Sequence, residues 1–238
     1  GSASIGLISS KITLESPIKN ENTTFILSAR RTDIDALAAP IIKANSNNGE
    51  TGGYYFYDLN AKINHKFSNK DRIYLSTYFG NDKAYAKSKG EYVNSNTQTN
   101  YKDEFGLAWG NIIVAARWNH LFNPKLFSNV TLNYSKYRFK VFESGLETIK
   151  SPNNTKTNTS EIEYSSGIRD FSAKIDFDYI PSPNHYVRFG INGIRHQFNP
   201  GILAYTDTRS EIDTTTSSFR KSTSEFAIYV EDDFKIGT

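Results

Sequence analysis

The stretch Tyr54–Gly80, YYFYDLNAKINHKFSNKDRIYLSTYFG, decides how the rest of the chain is read. Leu59, Ala61, Ile63 and Phe67 fall on one parity, and Asp58, Asn60, Lys62, Asn64 and Lys66 fall on the other. An extended strand sends alternate side chains to opposite faces, so this spacing predicts one apolar and one polar face, a separation no helix achieves. After a turn at Ser68–Lys70 the rhythm resumes, with Ile73, Leu75, Thr77 and Phe79 against Arg72, Tyr74, Ser76 and Tyr78. Each arm is about a dozen residues or more, whereas strands of ordinary globular sheets average about 5 or 6. Long two-faced arms suit a wall between lipid and a watery interior.

Outward from this hairpin the same rhythm recurs. A first strand covers Ser2–Ser16 and stops at Pro17, which has no ladder donor. A second covers Thr24–Arg31, with Lys19–Asn22 as the turn between them. Ile34, Leu37, Ala38, Ile41 and Ile42 follow helical spacing, and Thr32 and Asp35 are spaced as a capping box, so a helix of one or two turns is expected before a polar loop at Asn45–Gly53. Continuation of the second strand is the alternative. Further strands are expected at Glu104–Phe122, Leu126–Glu143, Glu161–Ile180, from Val187, and from Phe226 to the closing Lys235–Thr238. Tight turns are expected at Leu121–Phe127 and Pro181–His185, and long polar loops at Lys83–Asp103, Ser144–Ser160 and Phe198–Ser218.

Short and long connections therefore alternate. In an antiparallel array this sorts all tight turns to one end and all long loops to the other, as in barrels of the bacterial outer membrane. The expected fold is all-β, an antiparallel up-and-down transmembrane β-barrel. About nine strands are counted. Bacterial single-chain membrane barrels have even numbers, so nine signals either a miscount or an incomplete piece; the incomplete piece is the expectation, with residues 1–238 forming part of one barrel domain.

Composition agrees. Aromatic residues make up 14% of the chain while the mean hydropathy is −0.54, a mix that suits aromatic girdles around a polar interior better than a single aliphatic core. The net charge of +3, without a basic run, gives no case for nucleic acid. The absence of cysteine excludes a disulfide scaffold and a thiolate metal site. The four histidines, His65, His120, His185 and His196, lack metal-ligand spacing, so no metal or cofactor is expected. Asp176, Asp178 and His185 lie close in sequence, which leaves an outer-membrane hydrolase open as an alternative, although any wetted strand carries such carboxylates. Asp58, Asn60, Lys62, Asn64, Arg30 and Arg31 are the candidate lumen-facing residues; the two arginines offer guanidinium groups for an anionic ligand or a lipopolysaccharide phosphate.

The segments IGLISSKITLESPI, TTFILSARRTDID, YYFYDLNAKINHKFSNKDRIYLSTYFGND and WGNIIVAARWNHLFNPKLFSNVTLNYSKY together resemble the barrel of TonB-dependent outer-membrane receptors, in the branch with a carboxypeptidase-like regulatory domain and a plug. Ser16 stands where that family has glycine and Asp33 where it has an aromatic residue. The resemblance implies a 22-stranded barrel in the outer membrane of a Gram-negative bacterium, with the plug and the remainder of the barrel outside this chain. It implies active import of a scarce or large solute rather than enzyme activity. The implied partners are outer-membrane lipid, TonB through the plug, the imported solute and a surface lipoprotein. A passive porin or adhesion barrel is the other alternative.

Overall fold

The computed structural model describes residues 1–18, 21–32, 34–46, 49–216 and 219–236. The strands are β1 (Ser2–Ile5), β2 (Ser9–Pro17), β3 (Thr23–Thr32), β4 (Thr51–Lys66), β5 (Asp71–Asn94), β6 (Thr97–Asn123), β7 (Leu126–Ser151), β8 (Asn154–Ser182), β9 (His185–Asp207), β10 (Ile212–Thr215) and β11 (Lys221–Phe234), with one helix, α1 (Ile34–Asn45). Each strand pairs antiparallel with the next through β10, and β11 pairs with β9, giving one open, up-and-down sheet of eleven strands. The fold is thus all-β and antiparallel as expected.

The central hairpin forms in the register its alternation demands: Leu59 opposes Phe79, Ala61 opposes Thr77 and Ile63 opposes Leu75. Tight turns follow at the three expected places, after Lys66, after Asn123 and after Ser182. Pro17 closes β2, and Ile18 N donates to Thr23 O across the next turn, of which Lys19 and Asn20 lie outside the described residues.

The strand count differs from nine. The first expected strand is broken into β1 and β2, where Gly6 N donates to Ser9 O in a tight turn, and β10 adds a short pairing to the far end of β9. The three long polar loops also differ. Lys83–Asp103 is the outer half of a hairpin paired from Lys83↔Ala108 to Asn94↔Thr97, and Ser144–Ser160 is paired to Ser151↔Asn154. Most of Phe198–Ser218 is carried by β9 and β10, with Ser217 and Ser218 outside the described residues. A ladder with no layer packed on it requires no apolar period, so these arms show none. Backbone bonds hold them, with cross-strand ion pairs such as Lys83–Glu104 at 2.8 Å and Lys87–Glu104 at 3.1 Å. The asymmetry between ends persists in another form, as hairpins extended at one end and trimmed at the other.

Helix α1 is longer than expected and carries Pro40 within it. The capping box does not form: the Thr32 hydroxyl donates to Ile8 O at 2.6 Å, and Asp35 Oδ2 accepts from Arg31 at 2.8 Å. Asp33, Asn47, Asn48, Gly237 and Thr238 lie outside the described residues. Among the described residues, no hydrophobic side chain is buried and no helix is long and apolar enough to cross a membrane.

Candidate functional site

The polar face of the sheet gathers five of the six candidate lumen residues. Arg30 opposes Asp58, Ser28 opposes Asn60, Ile26 opposes Lys62 and Thr24 opposes Asn64, so Arg30 and the four β4 residues share one face. Arg30 grips Asp58 with both Nε, at 2.8 Å, and an Nη, at 2.7 Å, and its guanidinium lies 4.8 Å from the Phe56 ring centre. Asn64 donates to Thr24 Oγ1 at 3.2 Å, and Lys62 Nζ sits 5.1 Å from the Tyr74 ring centre. Each polar side chain is thus engaged by a neighbour on its own face. Above them Tyr54 stacks on Trp109 at 6.2 Å and donates to Asp82 at 2.5 Å.

Arg31 does not belong with these residues. It opposes Tyr57 and lies over the Tyr55 ring at 5.6 Å, on the opposite face, because adjacent strand residues point opposite ways. Nor do Asp176, Asp178 and His185 come together. Asp176 accepts from Tyr229 and Asp178 from Tyr186, each at 2.5 Å on the polar face, whereas His185 opposes Phe234 and bonds Asp232 at 2.7 Å on the apolar one. Among the described residues no group of three His, Cys, Asp or Glu could hold a metal ion.

The apolar face is uncovered. Leu75, Leu132, Phe171 and Ile191 are 47%, 55%, 50% and 50% exposed although each sits on a strand with neighbours on both sides. These residues belong to a band about five same-face positions tall on most strands, such as Leu59, Ala61, Ile63 and His65 on β4 with Phe67 just past its end, and Phe226, Ile228, Val230 and Phe234 on β11, where Asp232 interrupts it near the tight turn. One rung runs Ile63, Leu75, Ala116, Leu132, Ala173, Gly193, Phe226. It crosses the middle of the band on β4 and its upper margin on β11. The band therefore slips about four residues over six strand-to-strand steps, as it does when tilted strands cross a level slab.

Aromatic rings mark both margins. At the tight-turn end His65 meets Phe67 at 4.3 Å, His120 meets Phe122 at 4.5 Å and His185 meets Phe234 at 4.5 Å. Trp118 Nε1 and His120 both reach Asp71 Oδ1, at 3.2 and 2.6 Å. At the other margin Tyr55, Tyr57 and Phe79 form a chain of contacts, and Tyr134 packs on Phe171 at 4.9 Å.

Immediately beyond the upper margin this face turns basic. Lys136 follows Tyr134 on β7, Arg169 lies beyond Phe171 on β8, and Arg195 beyond Gly193 on β9. Lys136 opposes Arg169 directly, and Arg138 lies one rung further out, between Gly110 and Gly167. Sequence reasoning missed this group. The signal was present in KYRFK, 136–140, whose cations continue the parity of Val130, Leu132 and Tyr134.

At the far end of β9 the chain bulges between Ser165 and Gly167 of its partner, and Gly201, at φ 150, occupies a conformation that favours glycine. Beyond the bulge, Asp207 has its carboxyl held below the usual carboxylate range, first by the backbone N–H of Arg209 and then by Ser210. No protein-family model matches this chain, and neither the curated proteins nor the solved structures give a significant match.

Proposed function

We propose that this chain is one sector of the wall of an outer-membrane β-barrel receptor that imports a scarce or large solute with energy relayed by TonB. The observation that carries the reading is the uncovered, level apolar band on one face, backed by an ion-paired polar face. Eight residue steps at about 3.3 Å span about 26 Å along a strand. A slip of one residue per strand accompanies a tilt of about 36°, so two-thirds of that corresponds to about 25°. The band then stands about 24 Å high, against the roughly 25 Å apolar belt of barrels in lipid.

A water-soluble sheet of this size would cover such a face with a second layer, because exposed apolar area costs about 25 cal/mol per Å². Lipid tails remove that cost, and aromatic rings at both margins suit the two interfaces. The open edges at β1 and β11 support a larger closed barrel, since each unpaired backbone group in lipid costs several kcal/mol. Extended hairpins at one end would face the exterior and tight turns the periplasm. The ion-paired polar face fits a wetted lumen that contacts a plug or a passing solute.

The test is cellular. The full-length protein, expressed in a Gram-negative host, is expected in the outer-membrane fraction as a heat-modifiable species, and solute uptake is expected to stop with a protonophore or without TonB. Recovery in the soluble periplasm, or uptake indifferent to both treatments, would overturn the reading.

A further inference from the structure

Lys136, Arg138 and Arg169 have no carboxylate partner among the described residues. Like charges set directly across a ladder repel, so the Lys136–Arg169 rung is unfavourable without an anion over it. The surface there is hollow. Arg138 is flanked in its rung by Gly110 and Gly167, where a Cβ would stand 2.8 Å from Gly80 O and 2.6 Å from Tyr137 O. The resulting depression of about 380 Å³ is lined by these cations and by Asn81 and Gln197. Its one carboxylate, Glu163, is taken up by Lys140.

A second hollow of about 670 Å³ lies along the band beside it, lined by Val114, Leu132, Tyr134, Phe171 and Phe226. Tyr134 and Phe171 stand immediately below Lys136 and Arg169, so the cationic hollow and the apolar groove are successive parts of one surface.

We propose that this wall holds a phosphate-bearing lipid, its headgroup on Lys136, Arg138 and Arg169 and its acyl chains along the groove of Val114, Leu132, Tyr134 and Phe171. The inference rests on the membrane reading above, which puts this face in lipid. Two guanidinium forks and an ammonium match the oxygens of a phosphate. The apolar groove selects an amphiphile over a soluble anion, which would leave it empty. The cations also follow the slanting margin of the band from β7 to β9, which keeps them at headgroup height on each strand.

The test uses the full-length protein in mild detergent and native mass spectrometry with three probes: dioleoyl phosphatidic acid, dioleoyl phosphatidylcholine and inorganic phosphate. Phosphatidic acid is expected to be retained about tenfold better than phosphatidylcholine, consistent with several cations near one anionic headgroup. The K136Q/R138Q/R169Q variant is expected to lose that preference, while K70Q/K125Q, at the tight turns, keeps it. If the triple variant does not fold, R138Q alone is expected to reduce the preference.

Equal retention of both lipids, or a preference untouched by R138Q and by the triple variant, would overturn the proposal. Displacement of phosphatidic acid by an equal concentration of inorganic phosphate would overturn the assignment to a lipid. Flotation with pure phosphatidylcholine vesicles separates the two readings. Insertion without phosphate preference sinks this inference alone, and failure to insert sinks both.

Discussion

Arg30 and Asp58 face each other across β3 and β4 and share a two-pronged ion pair at 2.8 and 2.7 Å, with Asp58 only 9% exposed. The pair stands on the face opposite the apolar band, so its charges never compete with that surface. Asp58→Asn removes the anion and leaves a guanidinium that is 47% exposed and free to hydrate. The expected cost is on the order of 1 kcal/mol, the scale of a partly screened charge-assisted bond. Urea unfolding from lipid vesicles measures it, and a midpoint equal to wild type would contradict it.

The two faces should respond differently to one substitution. Leu132→Lys places a cation within the apolar band, one same-face position inside its Tyr134 margin, and is expected to cost about 2 kcal/mol in lipid, between the interface and midplane values. Asn133→Lys, one residue on, points to the polar face, where surface-type substitutions stay within about 0.5 kcal/mol. Equal effects in a vesicle refolding equilibrium would remove lipid from the account.

A chain without cysteine allows clean labelling from one side. Cysteines at Asn96 and Asn153, on extended hairpin tips, are expected to react with a membrane-impermeant maleimide on intact cells. Cysteines at Asn69 and Asn184, in tight turns, are expected to react only after lysis. The reverse pattern would invert the proposed orientation.

Asp207 gives the end of β9 an acid sensitivity. Its folded carboxyl titrates below the unfolded value of about 3.9, because Arg209 and Ser210 bond the charged form. The stabilisation is complete above the unfolded value and is lost as pH falls through the lower folded one. The protection of the Arg209 amide, the slowing of its exchange relative to an unstructured peptide at the same pH, should therefore be high at pH 6 and fall only once the pH has dropped through that window. Asp207→Asn should flatten the dependence; a wild-type profile in this variant would remove Asp207 as its cause.

Much of this was legible in the sequence. The band and the central register follow from Leu59, Ala61 and Ile63 alternating with Asn60 and Lys62, because burying one face against anything imposes period two. Where both faces are polar, as from Ser144 to Ser160, the apolar period vanishes and a paired ladder looks like a loop. Arg30 and Arg31 were grouped by adjacency, although a strand separates neighbours. The basic margin was hidden because each cation in KYRFK reads singly as solvated; only Arg169, brought from another strand, reveals the cluster.

Since every strand through β10 pairs with its predecessor, no segment waits on a distant one. Every rung is closed between strands that are consecutive in the chain or lie one strand apart, so the ladder's contacts are local in the chain and the entropy of closing long loops is avoided. Lengthening a single tip leaves every other rung unmoved, so the extended hairpins can vary in length while the apolar band keeps its register.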